Sequence, residues 1–335
     1  MRRELRFAAG VALGAGALAV SLFAVGPGAV LDRVTAIALP AAAVVFAVVL
    51  VEATVDGLGV WASVRPLNRG LTPGQSVQFA FAGDFFDTLS PAGPVSSEPI
   101  MARFFGVATD TSYSDALGVR GVAKYVKSAA QVALSLVLVA VFLLTGPAPR
   151  VVVATFAGAA VVLVVAAAAL LAARASIAAA ATALLAPVVR RVSALYRDDP
   201  HDRDTVAAAV DRFWTRVLAF RDTPRLLGLV ALGGVLEQLL TATALWVALA
   251  GTGTPAALLP IVAIVPLPQA ASVVPIPASL GAYDVLLAGA VVLMTGVPAD
   301  AAAAAVLVVR TFGLLTAVGG GGLATAFLRG WRPGA

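Results

Sequence analysis

Long apolar runs separated by short polar breaks dominate the chain, and their lengths set the first expectations. Runs at 7–26, 34–55, 125–145, 151–173, 226–250, 256–274, 280–296 and 301–327 predict helices. A helix rises about 1.5 Å per residue, so about 20 apolar residues cross the hydrocarbon core of a bilayer. Several runs meet that length. Those at 256–274 and 280–296 are shorter and punctuated by proline and glycine, which predicts incomplete crossings.

Two stretches depart from simple spans. Around Phe81-Ala-Gly-Asp-Phe-Phe-Asp-Thr-Leu-Ser-Pro-Ala-Gly-Pro-Val-Ser-Ser-Glu-Pro99, short apolar flanks enclose a Pro/Gly-rich centre studded with hydroxyls and carboxylates. Both ends lie beside positive charge, so 76–106 predicts a re-entrant hairpin. The second stretch, 266–296, contains Pro275-Ile-Pro-Ala-Ser-Leu-Gly-Ala-Tyr-Asp284. Irregular backbone at membrane depth is tolerated only where protein or a wet cavity satisfies it, so both stretches are expected to face inward. They also echo each other. Pro91 stands seven residues before Glu98, and Pro277 seven before Asp284, with small or hydroxyl residues between. Matching broken segments in two halves point to an internal repeat and to a binding site between them.

Composition agrees with the bilayer. The 335 residues are 60% hydrophobic and 12% charged, about half the charge of a soluble domain. The fold class that results is all-α: a polytopic membrane helix bundle of about seven or eight helices plus one or two re-entrant hairpins. It forms a single integral membrane domain over 1–335. The net charge of +5 does not indicate nucleic acid, because the basic residues cluster at the ends of apolar runs. Arg2, Arg3 and Arg6 precede the first run, Arg65 and Arg69 follow the second, and arginines fill 174–225. The opposite connections are nearly free of positive charge, which predicts a multi-pass cell-membrane protein with both termini and the 174–225 loop cytoplasmic. The first run, 7–25, is read as an uncleaved helix rather than a leader. Within 174–225, Asp204 is positioned to N-cap an amphipathic helix carrying Val206, Val210, Phe213, Trp214 and Val217, expected on the cytoplasmic leaflet.

The chain has no cysteine and one histidine, His201, in a polar run, which removes thiol chemistry, disulfides and His-rich metal sites. No metal or other cofactor is expected. What remains is charge at membrane depth, which costs about 2.5–3.5 kcal/mol per residue and therefore needs a reason. Glu52 and Asp56 share a face but are read as sitting at the end of their span. Asp84, Asp87 and Thr88 share a face leading into Ser90 and Pro91, and with Ser96, Ser97 and Glu98 they form an acidic, hydroxyl-rich turn. These side chains suit either a site lining or the capping of broken helix ends. Glu237 and Gln238 lie deep in an apolar run, as does Arg310, whose candidate partners are Glu237, Asp284 and Glu98. Arg120, Lys124 and Lys127 form a cationic row that Gln131 extends into the membrane. In the second broken stretch the candidates are Pro275, Pro277, Ser279, Gly281, Tyr283 and Asp284.

Pro91-Ala-Gly-Pro-Val-Ser-Ser-Glu98 resembles the Pro-x-x-x-Gly-Glu motif of the lysylphosphatidylglycerol synthase/flippase-type membrane domain. The Pro275–Asp284 stretch resembles that family's later Pro-x-Pro-Gly-Gly-x-Gly-x-x-Glu motif, and Arg310 fits the arginine of its last helix. The order of features is similar along nearly the whole chain. Ser97 stands where the family has glycine, Asp284 where it has glutamate, and Met101 where an arginine is usual, with Arg103 the nearest substitute. The resemblance implies translocation of a polar or glycosylated (phospho)lipid between leaflets without catalysis, since no aminoacyl- or glycosyl-transferring domain accompanies it. Membrane lipids are the implied partners, together with a separate lipid-modifying enzyme. The competing expectation is an intramembrane enzyme or accessory subunit for lipid-linked aminoacyl or glycosyl transfer.

Overall fold

The computed structural model describes residues 19–20, 23–89, 94–145, 150–193, 202–267 and 281–328. Among them the regular elements are helical and no strand occurs. In chain order they are α1 (Pro27–Ala36), α2 (Leu39–Val64), α3 (Pro73–Leu89), α4 (Pro94–Thr109), α5 (Tyr113–Thr145), α6 (Arg150–Ala172) and α7 (Arg174–Ser193). They continue with α8 (Arg203–Ala219), α9 (Pro224–Gly251), α10 (Leu258–Ile264), α11 (Ala282–Thr295), α12 (Ala299–Leu315), a π-helical turn (Thr316–Gly320) and α13 (Gly321–Ala326).

Four segments are long and apolar enough to cross a membrane: Leu39–Val64, Tyr113–Phe142, Pro224–Gly251 and Ala299–Ala326. A fifth is added if α6 and α7, bent by 80° at their junction, count as one broken span. The helix count is looser than the sequence predicts. The first apolar run lies largely outside the described residues, and the runs at 256–274 and 280–296 yield only α10 and α11, of 7 and 14 residues. α3 and α4 pack together as a helical hairpin of 17 and 16 residues, too short for ordinary spans.

Two boundaries differ from the apolar pattern for physical reasons. Pro40 sits in the first turn of α2, where a missing N–H costs nothing, so the 34–55 run splits and α1 ends at Ala36. α2 then continues past residue 55 to Val64, taking Glu52 and Asp56 into its interior. α5 begins at Tyr113, well ahead of the apolar run, because Ser112 and Asp115 cap it reciprocally. The Asp115 N–H donates to Ser112 Oγ at 3.1 Å, and that hydroxyl donates to Asp115 Oδ2 at 2.7 Å.

The amphipathic helix exists, as α8, but Asp202 rather than Asp204 is its N-cap. Asp202 Oδ1 accepts from the Thr205 N–H at 2.8 Å, and Asp204 falls in the first turn. α8 docks on α5 and α7 rather than lying alone on a leaflet. Arg216 Nε reaches Asp115 Oδ1 at 2.7 Å, and its Nη1 donates to the Pro66 carbonyl at 3.4 Å. Ahead of α8, the alanine-rich segment read as loop is helical too, as α7.

The bundle has two apolar cores. One joins Val45 and Val49 of α2 to Ala242, Leu245 and Leu249 of α9, with α10, α11 and Val306 of α12. The other joins Val60 and Val64 of α2 to Phe79, Met101, Phe105 and Val119, with Phe220 and Leu328. On α2, Glu52 and Asp56 fall between these two cores; on α5, Arg120, Lys124 and Lys127 follow Val119 of the second, and on α9 Glu237 precedes Ala242 of the first. With a rise of about 1.5 Å per residue, Glu52 stands about 20 Å from the start of a helix about 39 Å long. The polar belt is therefore at mid-height.

Candidate functional site

Three ion-pair clusters make up the belt. At the α4–α5 crossing, Arg120 donates to Glu98 twice, from Nε at 3.1 Å and Nη2 at 3.0 Å, the two-pronged geometry a guanidinium fork favours. Lys124 Nζ lies 3.1 Å from Glu98 and 3.2 Å from Asp87 of α3. Ser97 donates to the other Asp87 oxygen. The Arg120 guanidinium also covers the Phe105 ring, 5.0 Å from its centre.

In the middle, Lys127 of α5 bridges two acids from different helices. Its Nζ is 2.7 Å from Asp56 Oδ1 of α2 and also pairs with Glu237 of α9. Close approach of α5 and α9 makes this possible. A methyl group at Gly234 would lie 2.8 Å from Lys127 Cγ and 3.1 Å from its carbonyl oxygen, so glycine is required there. One turn further on, Gln131 Nε2 donates to the Gly234 carbonyl at 3.1 Å. Gln238 Nε2 donates to Ser135 Oγ at 2.9 Å and to the Val262 carbonyl at 2.7 Å, tying α9 to α5 and α10.

The third cluster belongs to α11 and α12. Gly281, at φ +78°, begins α11, and its N–H donates to Asp284 Oδ2 at 3.0 Å. Asp284 Oδ1 faces Arg310 Nε at 3.5 Å, and the Arg310 guanidinium lies 5.2 Å from the centre of the Tyr283 ring.

Two connected hollows open among these clusters. The outer one, about 450 Å³, is bounded by Asp56, Asp84, Asp87, Arg120, Lys124 and Lys127. The inner one, about 190 Å³, is bounded by Gln238, Thr241, Tyr283, Asp284 and Leu287. Glu52, Gln131, Glu237 and Arg310 line both.

Of the sequence candidates, Asp84, Asp87, Lys124, Lys127, Glu237, Gln238, Tyr283, Asp284 and Arg310 line one or both hollows. Glu98 and Ser97 stand behind the wall, holding Arg120, Lys124 and Asp87 in place. Arg310 meets Asp284; Glu237 is engaged by Lys127 and Glu98 by Arg120, so Glu98, Asp284 and Arg310 do not form one group. Ser90, Pro91, Pro275, Pro277 and Ser279, and the Ser96 side chain, lie outside the described residues. Arg103 is exposed while Met101 is buried, and the guanidinium beside Glu98 comes from Arg120.

The sequence leaves Glu52 and Asp56 near the end of their span and Arg120 in a cationic row, without joining the two. The signal was present: carboxylates at i and i+4 on α2 match a cation row at i, i+4 and i+7 on α5. Thr241 shares a helical face with Glu237 and Gln238, whereas Ser135 carried no such signal.

The family model for the lysylphosphatidylglycerol synthase TM region matches residues 7–321. The chain belongs to that family. Among curated proteins none matches it, and neither does any solved structure. Membership in the lysylphosphatidylglycerol synthase TM region family, with the apolar helices, makes it a multi-pass membrane protein tied to lipid modification or transport. The Glu98–Arg120 pair and the Asp284–Arg310 pair are where this member seats the acidic ends of the two Pro-rich motifs.

Proposed function

We propose that the protein moves a lipid with a polar headgroup between leaflets, without covalent change to it. One observation carries the reading: the charged belt is not a solid salt-bridge core but surrounds a hollow of about 450 Å³ at mid-height between two apolar cores. Exchange between leaflets is slow because a headgroup must shed water to enter hydrocarbon. A wet, charge-lined hollow at that depth replaces the lost water while the acyl tails stay in the bilayer.

The belt offers both signs of charge, so a headgroup carrying phosphate and hydroxyl or amine groups finds donors and acceptors. The α3–α4 hairpin, which supplies Asp84, Asp87 and Glu98, is read as re-entrant, and an opening motion would act there. The charge distribution along the sequence supports a cell-membrane protein with both termini cytoplasmic.

The test is reconstitution into vesicles containing headgroup-labelled lipid, followed by an impermeant quencher. Labelled lipid in the inner leaflet becomes accessible faster than in protein-free vesicles, and Lys127→Met slows that exchange. An unchanged exchange rate with correctly inserted protein removes the proposal. A chemically altered lipid recovered from the vesicles replaces it with the enzymatic reading.

A further inference from the structure

Carboxylates outnumber cations around the two hollows. Glu52, Asp56, Asp84, Asp87, Glu237 and Asp284 face them, against Arg120, Lys124, Lys127 and Arg310. The cations are engaged by other acids, so the surplus negative charge falls on Asp84 in the outer hollow and on Glu52, which lines both. Among the described residues Glu52 makes no hydrogen bond and no ion pair. An uncompensated carboxylate at membrane depth is costly unless something positive joins it.

The inner hollow carries a second, independent sign. Gln238 is fully buried, at 0% exposure, and both hydrogens of its amide are committed to Ser135 Oγ and the Val262 carbonyl. Turning the amide over would set Oε1 against the Val262 carbonyl oxygen, so the orientation is fixed and Oε1 must be the free end. That oxygen has no donor. Asp284, 3% exposed, is held differently: Oδ2 accepts from the Gly281 N–H, and Oδ1 has no hydrogen bond but forms the 3.5 Å ion pair with Arg310 Nε. The Thr241 hydroxyl and the Glu52 carboxylate line the same space. Buried acceptors without donors, beside a carboxylate without a cation, describe a place for a positively charged guest that donates nothing.

We propose that the inner hollow binds one monovalent alkali cation, using Glu52, Gln238 Oε1 and Asp284 Oδ1, with water completing its shell. Hard cations favour oxygen ligands. Among the described residues no group of three or more Asp, Glu, His or Cys side chains is placed to hold a metal ion, so the donor set is limited to two carboxylates and an amide oxygen, less charge than a calcium site gathers. Because Glu52, Glu237 and Arg310 line both hollows, the cation and a headgroup in the outer hollow would sense each other's charge. This coupling role rests on the transport reading; the cation site does not.

Thermal unfolding of the purified full chain in sodium, potassium and choline chloride, at one pH and ionic strength, tests the site. Sodium or potassium raises the melting temperature saturably over choline, which is too large to enter. Glu52→Gln removes no described contact and abolishes the response, as does Gln238→Leu. Asp300→Asn, which touches only the Arg33 pair, retains it. Identical melting in all three salts, a response that survives Glu52→Gln, or dependence on pH with none on the alkali ion overturns the proposal. Vesicle exchange separates the two readings. Alkali stabilisation without lipid exchange upholds the site and removes the transport reading, whereas exchange with flat melting curves does the reverse.

Discussion

Replacing Lys127 with methionine removes one charge and little volume, and it tests the centre of the belt directly. The Lys127 ammonium holds Asp56 and Glu237 together, and all three side chains are only about a fifth to a quarter exposed (24%, 22% and 20%). Breaking a fully buried pair by removing one partner costs about 3–5 kcal/mol, because the partner is left charged and unpaired. Here two carboxylates are stranded, but the adjoining hollow admits water, which lowers the cost to about 2–3 kcal/mol. That corresponds to a shift of about thirty- to a hundred-and-fifty-fold in the unfolding equilibrium. Equilibrium unfolding in mixed micelles, followed through the fluorescence of Trp61 and Trp246 in α2 and α9, measures it. The decisive comparison is the triple variant with Asp56→Asn and Glu237→Gln, which neutralises the stranded acids and returns stability to within about 1 kcal/mol of the parent. A triple variant as unstable as Lys127→Met alone would refute the argument, since the loss would then come from packing rather than charge.

Glu98→Gln strands the Arg120 guanidinium, which is 8% exposed, and should cost about 3 kcal/mol in the same assay, with Arg120→Gln in the double variant recovering most of it. Gly234→Ala forces the α5–α9 crossing apart and should cost about 1–3 kcal/mol; a loss below about 0.5 kcal/mol would mean that the crossing yields freely. Arg216→Ala removes a partly exposed pair of about 1 kcal/mol, and faster amide exchange across 203–219 would report the loosening of α8. Because the chain contains no cysteine, single substitutions Ala208→Cys and Pro255→Cys can be labelled by an impermeant maleimide, and the charge distribution predicts that they lie on opposite sides.

Helical class and membrane residence were legible because composition and run length leave no alternative for a chain this apolar. The hairpin at 76–106 was legible from its proline and glycine. What escaped was the extent of α2. Apolar runs end at charged residues, so Glu52 and Asp56 looked like a terminus, yet the helix continues, with Asp56 paired to Lys127, 71 residues away in sequence. The partner of Glu98 escaped for a similar reason. The sequence offered Arg310 as a partner for Glu98, whereas the tertiary fold supplied Arg120 from the next helix. The docking of α8 was hidden as well, because its moment reads the same whether a leaflet or α5 covers the apolar side. Pairings across helices depend on register, and a single sequence carries register only weakly.

The three cationic members of α5 stand at Arg120, Lys124 and Lys127, one rung per turn, each gripping acids borne by other helices. Such a rack fixes height. A slide of one pitch, about 5.4 Å, would bring neutral Ala116 or Gln131 to one end of the row and leave the acid there bare, so the pairs hold α5 in a single axial register.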